Sequence, residues 1–474
     1  MSQQEMNNNF QANIHAMDRL LRVEKSFDVI TRNMMIGSKH AKLYMIDGFV
    51  KDDIMEKIME FLMGLSEDQA GSAQNVKEFA DRFLPYVEVA LCSTFQQISI
   101  QVLSGTIALL AEGCEQAIMV DARTYPARGV SEPEDDKVLR GSHDGFVETL
   151  VMNTALIRRR IRDPRLTMEI LQLGDVSHTD VVICYLDGVA PPDFVQTVRK
   201  KISSVSIKTM TMSQESLAEC LMKRQWYNPF PRVRYTERPD AASACLAEGK
   251  VVVLVDNSPA AMLMPAAIFD FVQDTNDFYF PPLVGTYLRL VRIVIFFLTL
   301  MFTPTWFLLI QNPPWIPTWL SFIQIQEPNE IPVIIQLLVI EFVIDGLKLA
   351  SLNTPSALSN SFSVVAALVL GDFAVQAGLF VPEVVLYMAF VAILNFTQPS
   401  FELGYAFKLC RVLILVLTAF FNLWGYLAGI VVMLLLIATT RTISGKSYLY
   451  PLVPFCWREF KKLFIREPIS RRNT

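Results

Sequence analysis

What most constrains this chain is where its charges are missing. From about Leu283 to Thr440, charged residues are scarce and apolar runs are long. A helix needs about 20 mostly apolar residues to cross a bilayer. Residues 283–310, 331–350, 362–381, 383–397 and 407–438 reach or approach that length. Before about Phe280, charged and apolar residues are mixed as in a globular protein. The average over 474 residues, 52% hydrophobic and 19% charged, hides this division. An ordinary soluble chain carries about 25% charged residues. The expected fold class is a cytosolic α/β region followed by an α-helical transmembrane bundle of four to six helices. A net charge of -5 weighs against a nucleic-acid partner, which would need a basic face.

Charge asymmetry orients the spans. Arg289 and Arg292 open the first apolar stretch, while residues 311–330 contain no Lys or Arg. By the positive-inside rule the N-terminal side is cytoplasmic and that loop is outside. Lys348, Lys408, Arg411 and the basic tail also read as inside. The polar start, MSQQEMNNNFQ, has no apolar signal core, so the soluble region is expected to stay inside. The last stretch, 407–438, is too long for one upright helix. It reads either as a hairpin broken near Asn422 to Gly425 or as one long tilted helix. The expected divisions are 1–26 (polar lead-in), 27–140 and 141–282 (two α/β subdomains), 283–440 (membrane helices) and 441–474 (basic tail).

Two segments recur in order about 140 residues apart. Asp47-Gly48 and Asp187-Gly188 each close a strand-like run and precede a helical pattern. Leu110-Ala111-Glu112-Gly113 and Leu246-Ala247-Glu248-Gly249 each precede an apolar run and an Asp. Duplication accounts for both, with continuous runs such as Val251 to Val255 read as parallel strands buried on both faces. The aspartates at 47, 121, 187 and 256 are explained as strand-end turn residues. There is no G-x-G-x-x-G or G-x-S-x-G, and Ser444-Gly445-Lys446-Ser447 lacks the first glycine of a phosphate loop. No enzyme, cofactor or metal site is expected. The seven cysteines form no C-x-x-C pair and the four histidines are scattered.

Three charge patterns are candidate sites. Arg158, Arg159, Arg160 and Arg162, ended by Asp163-Pro164, form the densest basic cluster. It reads as an anionic-lipid contact, an inter-subunit belt, a phosphate contact, or a solvated helix end whose cations suit the dipole. Glu341, Asp345 and Lys348 share one helical face within a span, where charges are costly; Asp345 and Lys348 could pair, and Glu402 could reach Lys408 or Arg411. Asp372, with Gln376 one turn on, lies in a stripe of small residues: Ser363, Ala367, Gly371, Ala374 and Gly378. Small residues allow close helix approach, and rings of acids favour cations. The stripe reads as a pore wall in a ring of subunits, or as a tightly packed internal helix. Gly425-x-x-x-Gly429 is a second close-packing motif.

Long stretches resemble one family. The run from Arg140-Gly141-Ser142-His143-Asp144-Gly145-Phe146 through Arg158-Arg159-Arg160-Ile161-Arg162-Asp163-Pro164 looks like the signature of the GerA family of spore germination proteins. Tyr185-Leu186-Asp187-Gly188, Thr236-Glu237-Arg238-Pro239-Asp240, Val255-Asp256-Asn257-Ser258-Pro259 and Glu330-Ile331-Pro332 fit the same pattern. The resemblance spans about residues 27 to 460. The segment Gly346-Leu347-Lys348-Leu349-Ala350 departs from germinant-receptor A subunits, and Phe401-Glu402-Leu403-Gly404 to Lys408 and the Tyr450-Pro451 to Pro454-Phe455 ending look closer to a sporulation-stage member of the family. The resemblance implies a ring-forming, homo-oligomeric subunit in the inner membrane of a bacterial spore. It implies conduction of monovalent cations in germination and a second membrane subunit or other germination proteins as partners. The alternatives are a non-conducting scaffold and a small-solute transporter of dipicolinate type, with Glu341, Asp345 and Lys348 as its site.

Overall fold

The computed structural model describes residues 5–466 apart from 74, 85, 124–140, 223–224, 275, 328, 354–373 and 446. The chain divides into two units: Met1–Arg224 with Val233–Pro265, and Gln225–Arg232 with Ala266–Thr474.

Among the described residues the first unit contains two five-stranded sheets. β1 (Val29–Ile36), β2 (Lys39–Ile46), β3 (Val89–Cys92), β4 (Ile107–Ala111) and β5 (Ala117–Val120) lie in the order β1-β2-β4-β5-β3. β6 (Leu166–Leu173), β7 (Thr179–Leu186), β8 (Arg234–Thr236), β9 (Val251–Val255) and β10 (Ala261–Met264) lie in the order β6-β7-β9-β10-β8. The two orders are the same when each strand is matched to the one five places later. That identity of topology supports duplication.

Every pairing between these strands is antiparallel, which corrects the expectation of parallel strands. Burial on both faces, rather than strand direction, produces the apolar runs. All residues of β4, β5, β9 and β10 are buried. In the first sheet Tyr44, Ala108, Leu110 and Met119 pack against Met17, Leu21, Ile98 and Val102 of helices α1 (Phe10–Leu21) and α5 (Phe95–Leu103). Leu43, Leu109, Ile118 and Val120 face Met55, Ile58 and Leu62 of α2 (Asp52–Met63), with α3 (Glu67–Gly71) and α4 (Val76–Phe83) on that same side. Thus α1, inside the segment 1–26 read as a polar lead-in, contributes core residues. In the second sheet α6 (Leu150–Arg160) and α9 (Pro239–Ala247) cover one face. The remaining helices among the described residues of this half are α7 (Pro192–Ser203) and α8 (Ser213–Leu221).

The repeat is in part differently registered from the sequence reading. Asp47-Gly48 and Asp187-Gly188 do follow equivalent strands, β2 and β7, and precede equivalent helices, α2 and α7. The two Leu-Ala-Glu-Gly segments are not equivalent. The first ends β4, whereas the second ends α9. The structural counterpart of Gly249 is Gly105, which follows α5 and precedes β4. Both adopt left-handed backbone, φ +86° and +100°, as glycine does readily where a helix must stop and turn into a strand.

The second unit is helical: α10 (Asn276–Tyr279), α11 (Pro282–Gln311), α12 (Val333–Asn353), α13 (Ala374–Gln376), α14 (Pro382–Phe396), α15 (Phe401–Thr439) and α16 (Trp457–Phe464). Among the described residues two helices, α11 and α15, are long and apolar enough to cross a membrane. This corrects the expected four to six. Three charged residues interrupt α12, and α14 has only 15 residues, about 22 Å of helix. Residues 362–373 of the small-residue stretch lie outside the described residues.

α15 is a hairpin. Asn422 leaves helical geometry at φ 51°, ψ −130°, a left-handed turn that non-glycine residues adopt rarely and Asn more readily than most. A Cβ on Gly425 would strike the Leu417 carbonyl, and one on Gly429 would sit 2.9 Å from Ile414 Cγ1. In a straight helix residues 414 and 429 would be about 22 Å apart, so the chain must reverse. The glycines permit the two arms to touch, as the Gly-x-x-x-Gly spacing requires. Asn312 and Asn422 exchange amide hydrogen bonds of 2.7 and 3.2 Å across the tip.

Candidate functional site: a buried charge network in the helical unit

Glu341 and Asp345 are one turn apart on α12, and Lys408 and Arg411 share a face of α15. The helices bring these faces together. Arg411 Nη2 binds the Glu341 carboxylate directly, and Arg411 Nη1 donates to the Thr299 carbonyl of α11 at 2.7 Å. Lys408 forms an ion pair with Asp345, lies 3.8 Å from Glu341 Oε1, and donates to the Glu341 carbonyl at 3.2 Å. Glu341, Lys408 and Arg411 are 5%, 6% and 3% exposed. A lone charge at such depth would be prohibitive, so it is the pairing that makes these positions tenable. The contact to Thr299 occurs close to Pro304, which lacks the N–H that would close a helical bond to residue 300.

The expected pairings are redistributed. Asp345 takes Lys408, and the Lys348 ammonium lies over the rings of Phe396 (4.7 Å) and Tyr405 (5.3 Å). Such contact with ring faces is favourable for a cation. Glu402 is exposed at the start of α15, while Lys408 and Arg411 turn to α12. Asp345 Oδ1, Arg411 Nε and Thr303 Oγ1 are among the buried atoms that retain unused hydrogen-bonding capacity. Of the stripe read as a pore wall, Ser363, Ala367, Gly371 and Asp372 lie outside the described residues. Ala374 is buried, and Gln376 ends α13. Gly378 takes a left-handed φ of +67° in the turn that follows.

In the first unit Arg158 and Asp187 reach across to residues 22–28, and the other signature residues bind within 141–282. Arg158 and Asp28 are 0% and 1% exposed and make a two-pronged pair, Nε to Oδ2 at 2.8 Å and Nη2 to Oδ1 at 3.1 Å. Arg158 also donates to Ser26 Oγ and to the carbonyls of Asp163 and Leu166. Arg22 meets Asp187 at 2.6 Å. Arg160 grips both oxygens of Asp144 at 2.6 and 2.7 Å. Burial raises the Asp144 pKa, but hydrogen bonds from Arg160 and Ser142 more than offset it, and the net direction is down. Arg238, fully buried, binds Asp240 and the Ser142 carbonyl, and the Glu237 carbonyl accepts from Phe146 N–H at 2.7 Å. Asp163 pairs with Arg165, while Arg159 and Arg162 are exposed. The basic cluster therefore splits: its first and third arginines turn inward, which removes Arg158 as a lipid contact. Asp28 and Ser26 carried no sequence signal, because their partner lies 130 residues away.

The family model described as Bacillus/Clostridium GerA spore germination protein matches residues 18–474. The chain belongs to the GerA family. It is 37% identical to Stage V sporulation protein AF of Bacillus subtilis (strain 168) over 93% of this chain and 89% of that protein. It is 27% identical to Spore germination protein KA of the same organism, over 94% and 82%. With Spore germination protein GerLA of Bacillus cereus the identity is 28%, over 89% and 85%. A crystal structure of the N-terminal domain of the A subunit of the Bacillus megaterium spore germinant receptor GerK3 aligns with a TM-score of 0.43 and 22% identity, over 56% of this chain and 97% of that one.

Proposed function

We propose that this GerA-family protein is a membrane subunit that promotes release of monovalent cations during spore germination. It acts as a homo-oligomeric ring in the spore inner membrane, together with a second membrane subunit or other germination proteins. The α/β unit and the tail lie on the core side. The stretch from Ser363 to Gly378, with Asp372, forms the wall of the ion path. The observation that carries this reading is the paired state of the charges on α12 and α15. Glu341 and Asp345 are neutralised by Arg411 and Lys408, so they brace the helices rather than await a solute. That weighs against a transporter whose binding site is Glu341, Asp345 and Lys348, and directs attention to Asp372.

The test is cation flux from liposomes containing the purified full chain. Asp372→Asn, and separately Gly371→Leu, should change the flux while the protein remains membrane-inserted and oligomeric. Unchanged flux in both removes the pore assignment. A wild-type protein that conducts nothing, alone or with its partner subunit, favours the scaffold reading.

A further inference from the structure

The segment after the hairpin carries a surface that the proposed function leaves unused. α16 is only eight residues long, WREFKKLF. At about 100° per residue, Trp457, Phe460, Leu463 and Phe464 fall on one side, and Arg458, Lys461 and Lys462 on the other. Phe455 joins the aromatic side, with its ring 5.5 Å from Phe460, and Phe460 lies 5.0 Å from Phe464. This cluster is not a finished core: Val453, Phe455 and Trp457 are 54%, 61% and 65% exposed. A soluble surface seldom exposes such a run of large apolar side chains without a partner.

The position of α16 identifies that partner. Arg289 of α11 donates to the Lys462 carbonyl at 2.7 Å. Arg466 N–H donates to Thr286 Oγ1, and the Arg466 guanidinium to the Phe280 carbonyl at 2.6 Å. These bonds pin α16 beside the first two turns of α11. At that level α11 itself exposes Leu283 (82%) and Tyr287 (64%), and Leu290, Val294 and Phe297 continue the exposed apolar surface along it. The aromatic patch therefore lies beside the start of a helix able to span a bilayer, whose exposed side chains there are themselves apolar. Arg458 and Lys461 are exposed beside it.

We infer that residues 453–464 form an interfacial anchor that lies in the plane of the membrane, with Phe455 and Trp457 at the boundary between headgroups and acyl chains and Arg458 and Lys461 on anionic phospholipid headgroups. An aromatic face flanked by basic residues is the composition that lies at such an interface, and Trp suits headgroup depth. The inference rests on the membrane reading given above. An anchor here would hold the entry of α11 at a fixed depth through Arg289 and Arg466.

The test uses the full chain in bilayers whose lipids carry bromine near the headgroup. Trp457→Phe and Trp424→Phe, each compared with the unaltered protein, isolate the two tryptophan signals. Quenching of Trp457 should remove about half of its signal and be stronger when the anionic lipid carries the bromine. Arg458→Gln with Lys461→Gln should weaken the anionic preference about 30-fold at low salt, since each basic residue near such a surface counts for about 1 kcal/mol. Trp424, exposed beside the hairpin tip, reports on membrane insertion as such. A quenched Trp424 with an unquenched Trp457 overturns the anchor and leaves the membrane reading standing; two unquenched residues overturn both. Equal quenching by anionic and zwitterionic lipid overturns the headgroup assignment.

Discussion

Arg158 offers the sharpest test of how the two α/β subdomains are held together. Arg158→Met keeps most of the side-chain volume but strands the Asp28 carboxylate, which is 1% exposed. Breaking a buried ion pair by removing one partner costs about 3–5 kcal/mol. The Ser26 hydroxyl, 2.7 Å from Asp28 Oδ1, offsets part of this, so the lower end is expected. Two backbone amides report on the join directly. Phe27 N–H donates to the Met168 carbonyl at 3.0 Å, and Met168 N–H donates to Ser26 Oγ at 3.1 Å. At 1.4 kcal/mol per factor of ten, their hydrogen exchange should accelerate by roughly 100-fold or more in Arg158→Met. Mass spectrometry on peptides covering residues 23–36 and 166–173 measures it in the intact protein. The double variant Asp28→Asn with Arg158→Met removes the stranded charge and should return exchange to within about tenfold of the original. An acceleration of less than about fivefold in the single variant would refute the clamp. A double variant as fast as the single one would show that the cost is lost packing rather than an unpaired charge.

Glu341→Gln should destabilise the helical unit by about 3–5 kcal/mol, because Arg411 stays buried without its carboxylate; thermal unfolding in detergent measures it, and Asp372→Asn should leave that unfolding unchanged. Gly425→Val forces a side chain into the Leu417 backbone and should cost at least about 1–3 kcal/mol, read as loss of folded protein in the membrane fraction. Asp144 has a lowered pKa in the folded state, so its contribution is present above the unfolded value of about 3.9 and is lost as pH falls through the folded one. Proteolysis of residues 141–149 should therefore rise below about pH 4, and Asp144→Asn should be cut readily already at pH 5.

The parts of this fold legible in the sequence were those set by local pattern. The Asp-Gly turns after β2 and β7 marked a true repeat, because a strand end followed by a helix start leaves a local trace. The Leu-Ala-Glu-Gly pair misled because the same four residues close a strand at 113 and a helix at 249, and nothing local separates the two settings. Strand direction was hidden for a related reason: Val251–Val255 is buried on both faces, and burial gives the same apolar run whichever way its neighbours point. The break near Asn422 was legible only as one of two readings, since about 30 apolar residues exceed one bilayer thickness but a long tilted helix accommodates them as well as a reversal does. The ion pairs were not. Asp345 and Lys348 sit on the same helical face, so a sequence suggests their union, yet the bundle brings Lys408 to Asp345 from a helix more than 60 residues away.

Both units handle charge in the same way, and that bears on function. In the α/β unit the arginines at 158, 160 and 238 are bound to carboxylates within the unit. In the helical unit Lys408 and Arg411 are bound to Asp345 and Glu341. A ligand directed to any of these groups would have to displace a partner already held at full contact, at the cost of stranding the displaced charge. Such residues are suited to transmit strain between elements, because shifting one helix breaks a pair that the rest of the bundle cannot replace. A gating movement of α12 against α15 would then require Glu341 and Asp345 to move together with their bases. The charge swap Glu341→Arg with Arg411→Glu keeps the pair but reverses its polarity. If the network only braces the bundle, the swap should restore part of the stability lost in either single variant, the remainder being lost because Arg at 341 faces Lys408, and leave cation flux near that of the original protein. A swap that restores stability but still abolishes flux would show that the sign of the charge at 341 acts on the ion itself, and the brace reading would fall.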